Sequence, residues 1–145
     1  MQLLKGKSAL ITGGTAGIGK AIALLYADNG ADVAIFGTNA ERAELALKEL
    51  ESRRVSSDQK FTSFLVNVAS FKEVEETIQK ILAEWGKIDI LVNNAGITRD
   101  NLLIRMSEED WDLVLDVNLK SVYNTCRVLT RPMMKAKSGV MINIS

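Results

Sequence analysis

The sequence contains no histidine, and this absence excludes several kinds of catalytic and metal site at once. Its 145 residues include one cysteine, Cys126. A Ser-His-Asp triad cannot be assembled without histidine, and a single cysteine can neither close a disulfide within the chain nor build a zinc site. We therefore expect no metal centre, and the lone cysteine fits a reducing, cytoplasmic setting.

An excess of charge of one sign and long apolar runs are missing too. Eighteen basic residues balance 18 acidic ones, which gives no support to bulk nucleic-acid binding. No apolar run approaches the roughly 20 residues of a membrane span, and Met1–Lys7 becomes polar too soon for a signal peptide. With 47% hydrophobic residues, the composition predicts one domain with a buried core over residues 1–145.

The stretch Ile11–Lys20 organises the rest of the chain. It carries glycine at positions Gly13, Gly17 and Gly19, between an apolar run and the amphipathic run Ile18–Tyr26. A strand that turns sharply into a helix needs residues without Cβ at the bend, and the start of that helix offers free N–H groups to a phosphate. The spacing differs by one residue from the common dinucleotide fingerprint, and a simple turn is the alternative interpretation.

Apolar runs alternate with helical patterns along the whole chain. The predicted strands are Ser8–Thr12, Asp32–Gly37, Phe61–Val68, Ile88–Val92 and Val140–Ile144. The predicted helices cover residues 17–29, 40–54, about 71–85 and 107–135, and Pro132 predicts a kink or break in the last one. This alternation indicates an α/β fold: a Rossmann-type doubly wound parallel sheet in a three-layer αβα arrangement. Because the chain stops inside its fifth predicted strand, at Ser145, we expect it to be the amino-terminal part of a longer protein.

Glycine and polar residues follow the predicted strands at their carboxyl ends, where ligands of doubly wound sheets bind. These segments are Thr12-Gly13-Gly14, Gly37-Thr38-Asn39, Asn67-Val68 and Asn93-Asn94-Ala95-Gly96. NAD sites typically place an acidic residue after the second strand, to bond the ribose 2′-hydroxyl. Gly37 and Thr38 carry no negative charge that would repel a 2′-phosphate, so the sequence favours NADP(H). Lys20 and Arg42 are the nearby cations, and we assign neither of them to the phosphate.

Three segments together, Thr12–Gly19, Asn93–Gly96 and Asp116–Asn118, resemble the short-chain dehydrogenase/reductase family. The run Asn93–Met106 is more specific and is similar to the members that reduce 3-oxoacyl-[acyl-carrier-protein] in fatty-acid biosynthesis. The resemblance covers essentially the whole chain. It implies an NADPH-dependent, cytoplasmic homotetramer whose partner is acyl carrier protein. An acetoacetyl-CoA or other keto/alcohol reductase, and a truncated non-catalytic NADP-binding protein, are the alternatives.

The resemblance also implies roles for individual residues. The implied cofactor-binding residues are Gly13, Gly14, Thr15, Ala16, Gly17, Ile18 and Gly19 in the glycine stretch, Thr38 at the ribose phosphate, Asn67 and Val68 at the adenine, and Asn94, Ala95 and Gly96 on the nicotinamide side. Asn118 matches the catalytic asparagine of the family, which distorts the long helix and holds a proton-relay water. The family's catalytic serine would directly follow Ser145, and its Tyr-x-x-x-Lys pair would come later still.

The long predicted helix carries two further features with open interpretations. Arg131, Lys135 and Lys137 form a basic cluster that is either a solvated helix end or a dock for an acidic carrier protein, a role that Arg99 and Arg105 could share. The wide apolar face of the long predicted helix must partly cover the sheet. Any apolar surface that remains exposed fits the helix-bundle tetramer interface typical of the family. The apolar residues are Leu113, Val114, Val117, Val122 and Leu129.

Overall fold

A computed structural model describes all 145 residues and contains one five-stranded parallel sheet, in the order β3-β2-β1-β4-β5. The strands are β1 (Ser8–Thr12), β2 (Asp32–Gly37), β3 (Phe61–Leu65), β4 (Ile90–Asn93) and β5 (Val140–Asn143). The helices are α1 (Gly17–Asp28), α2 (Ala40–Ser52), α3 (Phe71–Trp85), α4 (Glu108–Leu115) and α5 (Ser121–Ala136). This topology confirms the Rossmann-type doubly wound sheet. None of these helices combines the length and the apolar character that crossing a membrane requires.

Alternate residues of the central strands build two separate cores, one on each face of the sheet. Leu10 of β1 and Phe36 of β2 pack in one core with apolar residues of α3 and α5. Ala9 and Ile11 of β1 pack in the other core with small and apolar residues of α1 and α2. The three-layer arrangement is therefore confirmed, and β1 lies at its centre with every residue buried.

The strand boundaries differ from the prediction where a neighbouring strand stops offering partners. Strand β3 ends at Leu65 instead of Val68, because Leu65 pairs with Gly37, the last residue of β2. The amide N–H of Ala69 then donates to Asn67 Oδ1, at 3.0 Å, in a turn that leads to α3. At the other side of the sheet, β5 ends at Asn143 and pairs residue for residue with all of β4.

The predicted long helix over residues 107–135 is three consecutive pieces. Between α4 and α5 lies a π-helical turn, Asp116–Lys120, and a 3₁₀ turn, Leu103–Arg105, precedes them in the loop. Of the kink or break expected at Pro132, the break does not occur, because α5 continues through Pro132 to Ala136. Proline removes one backbone hydrogen bond near the end of the helix, and the buried Met133 still anchors the following turn in the core.

Candidate functional site

The turn from β1 into α1 is packed so tightly that side chains are excluded at Gly13 and Gly19. A Cβ on Gly13, whose φ is +63°, would lie 2.9 Å from Ala95 Cα. A Cβ on Gly19 would lie 2.2 Å from the Gly13 carbonyl oxygen and 2.4 Å from Asn94 Nδ2. The first turn of α1 therefore lies directly against the turn after β1, and both touch the segment that follows β4.

Helix α1 begins without a side-chain cap, unlike α2, α3 and α4. Asn39, Ser70 and Ser107 each accept a hydrogen bond from the first turn of α2, α3 or α4. At α1 the N-cap residue is Ala16, no side chain caps the helix and its first turn has no acidic residue. No backbone N–H from residue 15 to residue 19 donates to a protein acceptor. These donors and the positive end of the helix dipole form a site that suits an anion.

Thr12 joins this turn to the segment after β4, a role that sequence reasoning missed. Its hydroxyl oxygen accepts from the backbone N–H groups of Asn94 and Ala95, both at 3.0 Å. Asn94 Nδ2 in turn donates to the Gly13 carbonyl at 3.1 Å. A threonine at the last position of a strand that leads into glycine was the available sign, because its hydroxyl lies beside the neighbouring strand end.

A cleft of about 230 Å³ opens beside this turn, between the carboxyl ends of the strands. Its lining residues are Gly13, Thr15, Ala16, Phe36, Gly37, Thr38, Val66, Val68, Asn94, Ala95, Gly96, Ile97 and Val117. None of them is charged. The predicted crevice therefore exists and is neutral, so the field of the α1 amino terminus acts in it without an opposing carboxylate.

Some predicted residues line the cleft and others support it from outside. Gly14 and Gly19 are not in the lining, and a Cβ on Gly14 would lie 2.6 Å from Ile35 Cγ2. Gly17, with a φ of +55°, has open space around it. Asn67 is also outside, because its exposed side chain accepts from the backbone N–H of Ala69, while Val66 and Val68 on either side face the cleft.

A second, larger cleft of about 910 Å³ adjoins the first and shares the segment from Asn94 to Ile97 with it. Its other lining residues are Ile18, Thr98, Arg99, Asn118, Ile144 and Ser145. Asn118 lies in the π-helical turn, and its amide bonds both backbone groups of Ile97. Its Oδ1 accepts from the N–H at 2.7 Å, and its Nδ2 donates to the carbonyl at 2.9 Å. The expected distortion of the helix at Asn118 is confirmed.

Comparison with known proteins assigns the chain to a family. A family profile described as short chain dehydrogenase matches residues 7–145. The chain belongs to the short-chain dehydrogenase family. It is 50% identical over 144 residues to 3-oxoacyl-[acyl-carrier-protein] reductase of Chlamydia muridarum, covering 99% of this chain and 57% of that protein. It is 43% identical over 142 residues to the reductase of the same name from Thermotoga maritima, covering 98% and 56%.

The solved structures agree with the sequence relatives. The crystal structure of NAD⁺-bound xylitol dehydrogenase superimposes with a TM-score of 0.90 at 27% identity, over 97% of this chain and 53% of that one. The chain therefore spans little more than half the length of these relatives.

A side-chain network behind the clefts connects α5, β4 and β5. Thr125 of α5 donates its hydroxyl proton to Asn93 Oδ1 at 2.6 Å. Asn93 Nδ2 donates to Asn143 Oδ1 of β5 at 2.9 Å. Sequence reasoning missed Thr125 and Asn143, since nothing in their spacing indicates that they meet. The network fixes β5 relative to β4 beside the second cleft.

Charged groups lie away from the first cleft. Lys20, one of the two predicted cations, pairs with Glu49 of α2 at 3.2 Å, whereas Arg42 is in no ion pair. At the amino end of β4, burial raises the pKa of Asp89, but hydrogen bonds from Lys87 and from the Ser8 N–H outweigh it and leave that pKa lowered. Burial raises the pKa of Tyr26 on α1. The first cleft therefore depends on neutral groups and backbone donors.

Proposed function

We propose that this protein catalyses the NADPH-dependent reduction of 3-oxoacyl-[acyl-carrier-protein] to 3-hydroxyacyl-[acyl-carrier-protein] in fatty-acid biosynthesis, in the cytoplasm. Residues 1–145 form its NADP-binding Rossmann domain. The observation that carries the proposal is the 50% identity to the Chlamydia muridarum reductase across 99% of the chain.

The first cleft fits a dinucleotide because three of its physical features match one. A pyrophosphate needs donors, and the free N–H groups from Thr15 to Gly19 supply them. It needs close backbone approach, which the crowded glycines Gly13 and Gly19 permit only because they lack Cβ. It also needs the absence of carboxylates, and the lining has none. When bound, the nicotinamide cofactor supplies the hydride for the 3-keto carbon.

In this proposal the residues of the chain bind the cofactor and orient it. The pyrophosphate site is formed by the glycine stretch: Gly13, Gly14, Thr15, Ala16, Gly17, Ile18 and Gly19. Thr38 lies at the ribose phosphate, and Asn67 and Val68 lie at the adenine. On the nicotinamide side lie Asn94, Ala95 and Gly96. Asn118 is the proposed catalytic asparagine. By clamping Ile97 through two hydrogen bonds, it sets the wall shared by both clefts and holds the water of the proton relay.

The preference for NADPH over NADH rests on Thr38, which is exposed at the cleft and uncharged. Fluorescence titration of the protein with both cofactors measures it directly. We expect NADPH to bind at least tenfold more tightly, and we expect Thr38→Asp to reverse the order, because its carboxylate would repel the 2′-phosphate and accept from a 2′-hydroxyl. Thr38→Val is the control and should leave the order unchanged. Tighter NADH binding by the unaltered protein would overturn the NADPH assignment.

The carrier-protein substrate rests on the curated relatives and on basic residues near the second cleft. Arg99 lines this cleft, and Arg105 is exposed on the same loop, where both can attract an acidic carrier. NADPH oxidation with acetoacetyl-[acyl-carrier-protein] and with acetoacetyl-CoA tests the assignment. We expect the carrier substrate to be preferred and Arg99→Glu to raise KM for it more than for the CoA ester. Equal or better turnover of acetoacetyl-CoA would support the alternative acyl-CoA reductase.

A homotetramer is part of the same proposal. Large apolar side chains remain exposed on the outer side of α4, the π turn and α5, among them Leu119 at 65% and Tyr123 at 59% exposure. Such a surface on one side of the sheet is typical of a subunit contact. Sedimentation equilibrium of the protein should show four copies per particle.

A further inference from the structure

Asn124 of α5 supports one wall of the first cleft from behind. Its side chain is fully buried, and its Nδ2 donates to the Val68 carbonyl at 2.9 Å, across 56 residues of sequence. Val68 lines the first cleft, whereas Asn124 does not. Asn124 can therefore act on a ligand in that cleft only through Val68.

The segment from Val66 to Ala69 has few other hydrogen bonds that keep it in place. Strand β3 has already ended, and the Val66 N–H makes the last bond to β2, at 3.0 Å to the Gly37 carbonyl. The Val68 N–H donates to no protein acceptor. The bond from Asn124 is the one hydrogen bond that joins this segment to α5, so the position of the wall depends on it.

The other end of the Asn124 amide meets no donor of the protein. Its Oδ1 is buried without a hydrogen-bond partner, and such an acceptor lowers the stability of a folded protein. Turning the amide over would not help, because Oδ1 would then face the Val68 carbonyl oxygen. A leucine of similar shape would remove the unpaired acceptor and has a higher helix propensity. Stability alone therefore does not explain an asparagine at this position.

Asn118 and Asn124 support two different walls of the first cleft. Asn118, in the π-helical turn, bonds both backbone groups of Ile97, and Asn124 bonds the carbonyl of Val68. Ile97 and Val68 both line the cleft. The π turn continues directly into α5, so one helical segment fixes the distance between the two walls.

We propose that Asn124 is a positioning residue for the cofactor, which keeps Val66 and Val68 at the distance from Thr38 that an adenine ring requires. The inference rests on the proposed function, in which Val68 lies at the adenine and Thr38 at the ribose phosphate. Without the bond from Asn124, the Val68 carbonyl has to find another donor and the segment that carries it shifts. The adenine then binds less tightly, whereas the pyrophosphate site in the glycine turn is unchanged.

Binding of the adenine half of the cofactor by itself tests this role. Adenosine 2′,5′-bisphosphate is the adenine half of NADPH, and its displacement of fluorescent NADPH gives its dissociation constant. Asn124→Leu should raise the dissociation constants of the bisphosphate and of NADPH by the same factor, roughly three- to tenfold, because one buried hydrogen bond is lost. Asn124→Ala should have the same effect, and its smaller side chain cannot clash with its surroundings.

Asn118→Leu is the counterpart on the other wall. It releases Ile97 instead of Val68, so it should raise the dissociation constant of NADPH and leave that of the bisphosphate unchanged. The ratio of the two constants therefore distinguishes the adenine-side wall from the nicotinamide-side wall.

Leu129→Val separates positioning from a general loss of stability. Leu129 is fully buried on the same helix and belongs to the same core as Val68. Loss of a methylene there should lower the melting temperature by several degrees without changing the bisphosphate constant. Asn124→Leu should melt within about 3 °C of the unaltered protein, because the bond to Val68 and the unpaired acceptor disappear together.

The outcomes keep this inference apart from the proposed function. An unchanged bisphosphate constant in both Asn124 variants would overturn the positioning role. An equal rise in Leu129→Val would also overturn it, because the stability of the core, and not the bond to Val68, would then set the affinity. If the unaltered protein binds NADH more tightly than NADPH, the NADPH assignment fails. Adenosine 5′-monophosphate then replaces the bisphosphate as the probe, since Asn124 acts at the adenine in either cofactor.

Discussion

The two ends of the β1–β4 pair are both closed by side chains that accept backbone N–H groups, but the side chains differ in kind. At the carboxyl end the neutral hydroxyl of Thr12 accepts from Asn94 and Ala95. At the amino end the carboxylate of Asp89 accepts from Ser8 at 2.9 Å and pairs with Lys87 at 2.9 Å. The charged closure lies at the end away from the clefts.

This difference follows from what the carboxyl end has to accommodate. A carboxylate in place of Thr12 would lie beside the free N–H groups of α1, compete with a bound anion for these donors and repel it. The Thr12 hydroxyl accepts hydrogen bonds from the same backbone donors without carrying a negative charge. We therefore expect the two ends to respond differently to mutation, pH and salt.

The largest effect should come from substituting Gly19, which packs against the turn at the carboxyl end of β1. Its Cβ would lie 2.2 Å from the Gly13 carbonyl oxygen, so Gly19→Ala forces α1 away from the turn. We expect a loss of about 2–4 kcal/mol in the free energy of unfolding and a loss of NADPH affinity of at least a hundredfold. Urea unfolding and fluorescence titration measure these.

Gly17→Ala is the matched control for that substitution. A Cβ there meets no atom within 4 Å, so only the positive φ of +55° is strained, at about 1 kcal/mol. Equal destabilisation by the two variants would show that crowding at Gly19 does not hold the turn in place.

Removing the hydroxyl of Thr12 should have the next largest effect. Thr12→Val keeps the shape of the side chain but leaves the N–H groups of Asn94 and Ala95 without their acceptor, which costs roughly 2–3 kcal/mol of the free energy of unfolding. Thr12→Ser keeps the acceptor and should cost about 1 kcal/mol, for the lost methyl group. Urea unfolding of both variants at pH 7 checks the order, and an equal loss in the two would assign the stability to packing.

The sequence predicted the sheet and its glycine turn well, because both depend on local patterns. Apolar runs and capping residues place each strand and helix to within a few residues. The strand ends were predicted less accurately than the strands themselves. Strand β3 stops where β2 no longer offers hydrogen-bond partners, and the position of that end depends on a strand distant in sequence. The cleft walls Val66 and Val68 alternate with Asn67, and only the course of the chain after β3 shows which of them face inward.

The remaining features depend on contacts that no local pattern records. The π turn was expected only through the resemblance at Asn118, because helix propensity does not distinguish an interrupted helix from a continuous one. The hydrogen-bond partner of Asn118, Ile97, lies 21 residues away and bonds through its backbone. Any residue type can make such a bond, so the sequence does not indicate it. Pro132 does not end α5, because a proline near the end of a packed helix removes only one backbone hydrogen bond.

Replacing Asp89 should change how stability depends on pH. The folded pKa of Asp89 lies below its ordinary value, so its carboxylate stabilises the fold above the unfolded pKa of about 3.9. That contribution is lost as the pH falls through the folded pKa. Asp89→Asn should therefore be less stable by roughly 1 kcal/mol at pH 7, with the difference closing below about pH 4. The control Thr12→Val should keep the same deficit at both pH values, because a hydroxyl does not titrate.

The smallest effect should come from replacing Lys87. This substitution tests whether the charge of Lys87 or its hydrogen bonding stabilises the amino end of the β1–β4 pair. Lys87 Nζ lies 2.9 Å from Asp89 Oδ2, and its side chain is 49% exposed. Lys87→Met keeps most of the aliphatic stem and removes the charge, so we expect a loss of about 0.5 kcal/mol in the free energy of unfolding at low salt. In 1 M NaCl, where the Debye length is about 3 Å, the loss should shrink toward zero. Thr12→Val should show the same loss at both salt concentrations. A Lys87→Met deficit that salt does not reduce would mean that its hydrogen bond to the Gly6 carbonyl, and not its charge, closes the amino end.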